Sequence, residues 1–178
     1  MSAREVRAWI ETLAGREPMQ GLKPERVWDP SLSKAISALP LPSGEAGDAL
    51  RSALLLWNDD LDGSHSLSQD IPSATGSLLH GIMHRMEGDY WNAEYWFRRV
   101  GAHPCYVGIA RAAEPMEGGA AFASGDAWDP YAFVRAVQRA VGRGDEKETA
   151  ALRLIQRMEM AVVVEYCYQQ CFGGTVLD

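Results

Sequence analysis

His80 and His84 stand four residues apart, and Glu87 follows three residues later. On an α-helix this spacing sets the three side chains on one face, in line with Ser73 and Ser77. Two imidazoles at i and i+4 can grip one divalent metal ion, and a carboxylate one turn further on can add an oxygen ligand. The string reads HGIMH, so the glutamate that serves as base in zinc-protease helices is missing, and that activity is excluded on its own motif. The same pair suits acid–base chemistry if a carboxylate lies beside it, because a carboxylate orients the ring and favours its protonated form. The competing readings are plainer: a polar helix face in water, or two core histidines hydrogen-bonded to backbone.

A second polar cluster precedes the pair. Trp57-Asn58-Asp59-Asp60-Leu61-Asp62-Gly63-Ser64-His65 is dense in groups able to hold a cation or a polar ligand. The spacing of Asp59 and Asp62 lacks the twelve-residue pattern of an EF-hand, so calcium is not specified. One reading makes this stretch a solvated turn after a helix. The other folds it over the His80/His84 face, where Asp59, Asp62 or His65 would partner the imidazoles. The candidate site is therefore Trp57, Asp59, Asp62, His65, His80, His84, Glu87 and Trp96, with His80 and His84 as metal ligands. The cofactor this implies is a divalent metal ion.

The elements that must position these groups are helical. Apolar residues recur at three- and four-residue spacing over 3–16, 30–39, 45–58, 75–88, 90–100, 104–114, 130–141 and 145–172. Asp29-Pro30 and Asp129-Pro130 each supply a capping side chain and a proline suited to the first helical position. Residues 59–72 read as a polar loop, with at most a helical turn over 65–70, and 117–127 as a Gly/Ala loop. The 90–100 helix carries Tyr90, Trp91, Tyr95, Trp96 and Phe97 on nearly every side, which predicts burial, and Glu94 can pair with Arg98. The last helix is apolar all round over 160–164, which predicts a path through the middle of the bundle. No segment alternates with period two, so the fold class is all-α: a single domain, 1–178, of six to eight helices.

The stretch 77–104, SLLHGIMHRMEGDYWNAEYWFRRVGAHP, resembles one tetratricopeptide repeat. Gly81, Gly88, Ala93 and Phe97 match that motif's small residue in the first helix, its turn glycine, its small residue in the second helix and its aromatic. Asp89-Tyr90 continues the turn, and Pro104 lies one residue short of the closing proline. The resemblance implies two antiparallel helices in close approach. The departures are His80 and His84, which stand where the motif has large apolar residues, so the resemblance would point both imidazoles into a helix–helix seam. A lone repeat makes no extended groove, which weakens a peptide-docking reading.

Composition limits the remaining classes. A net charge of −7 and a pI near 5.1 disfavour nucleic acid and anionic membrane as partners. The most apolar run, 160–164, is far shorter than the ~20 residues of a membrane span. Cys105, Cys167 and Cys171 make an odd count without framework spacing, and the first sixteen residues carry no apolar signal core, which together predict a reduced, cytoplasmic protein. No nucleophile-elbow, P-loop or dinucleotide motif is present. The expected function is a helical binding protein with a polar pocket, its small-molecule or protein partner and oligomeric state unspecified. The alternative is an enzyme using His80 and His84 for metal or acid–base chemistry.

Overall fold

The computed structural model describes residues 3–175, which form an all-α domain. Nine α-helices occur among them: α1 (Ala3–Ala14), α2 (Pro30–Ser37), α3 (Glu45–Trp57), α4 (Leu61–Ser68), α5 (Ala74–Glu87), α6 (Tyr90–Val100), α7 (Pro104–Ala113), α8 (Pro130–Arg143) and α9 (Glu146–Phe172). The 117–127 stretch, expected as loop, holds a 3-10 turn and a two-stranded ribbon, β1 (Ala123–Ser124) against β2 (Ala127–Trp128). The ribbon buries Phe122 and Trp128 against Phe133 of α8, and this aromatic contact explains order in a glycine-rich segment.

Most boundaries follow from caps. The Asp29 and Asp129 carboxylates each accept two backbone N–H bonds at the starts of α2 and α8. Ser73 caps α5, Asp89 caps α6 and Asp145 caps α9. Gly88 closes α5 with φ of 93°, a left-handed conformation glycine adopts without penalty, and the Lys23 side chain occupies the space a Cβ would need.

Two helices hold the centre. α3 is buried along nearly all of its length, and α9 packs against α1, α3, α7 and α8. The three-to-four spacing of Leu152, Ile155, Val162, Val163 and Tyr166 predicts a buried stripe on α9, and the structure keeps only part of it. Leu152, Ile155 and Val163 are buried, but Val162 and Tyr166 are half-exposed, and the polar Gln156 and Glu159 face the core in their place. The reason is Arg85 of α5. Its guanidinium makes a fully buried, bidentate ion pair with Glu159, reaches Gln156, and lies over the Phe133 ring.

The α5–α6 hairpin carries the close approach expected at Gly81. A Cβ built there would stand 3.3 Å from the Phe97 ring, and Ala93 is fully buried. The burial expected for α6 fails at two residues. Trp91 is 74% exposed and Tyr95 39%, and only Ala93, Phe97 and Val100 are buried. Aromatic content suggested an all-round core helix, but α6 packs through one stripe and leaves the opposite side outside.

Candidate functional site

Residues 61–68, read as loop, are a helix, and that difference creates the site. α4 has no apolar period of its own; Asp60 starts it by accepting the Gly63 N–H bond. Its other anchor is the buried Ser64, whose hydroxyl and carbonyl both lie within hydrogen-bond distance of Ser52 on α3. Fixed in this way, α4 presents His65 to the α5 face carrying His80 and His84.

The three rings form a compact group. His80 and His84 stack at 4.7 Å between centroids, and His65 meets them edge-on at 4.7 and 5.6 Å. One ligand atom from each of the three lies within 4.8 Å of the others. On its other side His80 stacks on Trp96, with centroids 4.0 Å apart and planes 15° from parallel. Trp96 therefore fixes the His80 ring plane. Burial, followed by the proximity of His84 and His65, pushes His80 from the ordinary histidine value down to about 4. At neutral pH its ring is uncharged and keeps a free nitrogen lone pair. Its Nδ1 is buried and has no hydrogen-bond partner.

Glu87 lies where the helical spacing places it. Its Oε1 is 2.5 Å from Nδ1 of His84, and its side chain is partly open to solvent. A carboxylate there holds the imidazole tautomer and ring orientation. Asp89 joins the margin of the group: His84, Glu87 and Asp89 also offer ligand atoms within 4.8 Å of one another. Asp89 was missed among the candidates because a Gly-Asp turn accounts for it as a cap, a role it also fills by accepting from Asn92.

Two expected partners are elsewhere. Asp59 is engaged by residues other than the histidines. It sits at φ 62°, a conformation that aspartate tolerates better than most residues, and its carboxylate pairs with Arg16 at 2.5 Å and accepts from Gln20 at 2.8 Å. These partners are 43 and 39 residues away in sequence, so no local pattern marked them. Trp57 is a core residue, fully buried on α3; its carbonyl accepts from Arg16, and it forms no wall of the site.

Asp62 is exposed on α4. It lines a groove of about 250 Å³ together with Asp59, Asp60, Glu87 and residues 24–27. Glu87 is the link between that groove and the histidine group.

No protein-family model, curated protein or solved structure matches the chain. The reading of this site therefore rests on its own geometry. Among the described residues no helix is long and apolar enough to cross a membrane. All three cysteines are free thiols. Burial pushes Cys105 up to about 12 and raises Cys167 further, so these two are core residues rather than nucleophiles.

Proposed function

We propose that this is a helical metal-binding protein in which His65, His80 and His84 hold one divalent transition-metal ion. The observation that carries the reading is the mutual approach of their three ligand atoms to within 4.8 Å. Around a tetrahedral ion with metal–nitrogen bonds near 2.0–2.1 Å, neighbouring nitrogens are separated by about 3.3 Å. Metal binding would draw the three rings together by that difference, His65 moving toward the rings that Trp96 and Glu87 orient. Imidazole ligands suit zinc, copper, nickel or iron over magnesium or calcium, which prefer oxygen.

Several features support the assignment. His80 is neutral at physiological pH and has an unpartnered buried nitrogen, as an imidazole ligand requires. Glu87 orients His84 as the outer carboxylate of a carboxylate–histidine–metal relay. Three protein ligands leave a fourth position for water or a small ligand, arriving from the groove that Glu87, Asp60 and Asp62 line. At that position the ion would supply Lewis-acid chemistry. The scaffold is the α5–α6 hairpin, read as a single tetratricopeptide-like unit, and the free thiols suit a reducing, cytoplasmic compartment.

Metal analysis tests the reading. After dialysis against zinc, one ion per chain is expected in the wild type and none in His80→Ala, with both folded by circular dichroism. Equal metal content in the two would refute it. The 2.5 Å His84–Glu87 contact favours one second reading, a metal-free acid–base pair. For that pair, zinc uptake would be absent in the wild type as well as in His80→Ala.

A further inference from the structure

A cavity of about 760 Å³ lies away from the histidines. Its walls are the irregular segment 16–28, the end of α8 and the first turns of α9. Its size falls in the range of small-molecule sites, which characteristically combine apolar walls with a few placed polar groups. The apolar part comes from Leu22, Val27, Val141 and the Trp28 indole. The polar part is biased toward positive charge. Arg16, Lys23, Arg26 and Arg153 line the cavity, on a chain whose net charge is −7.

Three of these four cations make no ion pair among the described residues. Among the described residues Lys23 and Arg26 have no ion-pair partner, and Arg153 donates only to the carbonyl oxygens of Met19 and Gln20. Of the three lining carboxylates, Asp59 is paired with Arg16, and Glu25 and Glu146 are exposed, as are Lys23 and Arg26, which leaves three unpaired cations to two carboxylates. Arg16 supplies an independent pointer. It is more than nine-tenths buried, its guanidinium lies 4.7 Å from the Trp28 ring centroid, and its Nε has no hydrogen-bond partner. An unpaired donor on a buried guanidinium costs stability unless something accepts from it.

We infer that this cavity binds a small organic anion with a flat aromatic body, held by Lys23, Arg26 and Arg153 against the Trp28 wall. The inference is independent of the metal centre, and its test needs no metal.

Two fluorescent probes with the same rings separate the charge from the apolar body: 1-anilinonaphthalene-8-sulfonate and the neutral N-phenyl-1-naphthylamine. Titrated into the full chain after chelation of metal, the sulfonate should bind at one site per chain, at least about tenfold more tightly than the neutral probe. Lys23→Glu with Arg26→Glu should abolish that difference. Val141→Trp, a surface-side filling of the cavity, should remove both probes while the thermal transition is retained. Trp91→Ala, at the exposed aromatic side of α6, should change neither. Equal affinity for the two probes, absence of saturable binding, insensitivity to Val141→Trp, or loss of binding in Trp91→Ala would each overturn the inference.

Discussion

Single residues in this protein divide into those whose roles are local and those whose roles are long-range. The helical face bearing His80, His84 and Glu87 was legible because it depends only on spacing, and Glu87 does meet His84. Asp59 was not legible, since the groups that claim it, Arg16 and Gln20, are brought by a distant segment. Glu159 and Arg85 tell the same story from 74 residues apart. Because their ion pair is fully buried, Glu159→Gln should destabilise the fold by about 3–5 kcal/mol, read from urea denaturation, as Arg85 is left charged without its counter-ion. His103 gives a pH-dependent counterpart. Its Nδ1 accepts the Cys105 N–H while Nε2 meets the Thr75 hydroxyl, and burial lowers its pKa. The unfolded chain therefore takes up a proton there more readily than the folded one, so stability is complete above the ordinary value of ~6.5 and falls as pH drops below it. His103→Asn should reduce that acid-side decline in melting temperature, leaving the part that His80 contributes; an unchanged profile would count against the assignment.

At the scale of elements, α4 shows what periodicity cannot see. LDGSHSLS has only two apolar residues, a glycine and three serines, and read alone it is a turn. It becomes a helix because Asp60 caps it and because Ser64 bonds to Ser52 in the interior. This is a case of tertiary context overriding weak propensity. Asp60→Ala should cost about 1 kcal/mol of stability. Since α4 carries His65, the same substitution should also weaken metal uptake, whereas loss of stability alone would indicate that His65 is not a ligand. α6 fails in the opposite sense. Its aromatic density suggested burial, but neighbours cover only the Ala93, Phe97 and Val100 stripe. The hairpin it forms with α5 depends on tight contact at Gly81, so Gly81→Val should overpack against Phe97 and cost about 1–3 kcal/mol.

For the whole molecule, helical class and most helix boundaries were readable, because Asp-Pro starts, glycine stops and three-to-four spacing are local signals. The assembly was not, because it is fixed by buried polar ties between distant segments. The irregular stretch between α1 and α2 is the clearest example: Arg153 and Gln156 of α9 donate to the carbonyls of Met19, Gln20 and Gly21, and Gln20 in turn binds the end of α3. Each tie satisfies backbone groups that would otherwise be buried and unpaired. Arg153→Ala should loosen this stretch selectively, raising its rate of proteolytic cleavage with the helices intact by circular dichroism.

The same long-range folding delivers His65 to the His80/His84 face, and metal binding at that face depends on their meeting. Anomalous diffraction at the zinc edge from crystals grown with zinc tests it most directly. One strong peak is expected within about 2.2 Å of an imidazole nitrogen from each of His65, His80 and His84. A peak located elsewhere, or none among these three rings, would contradict it.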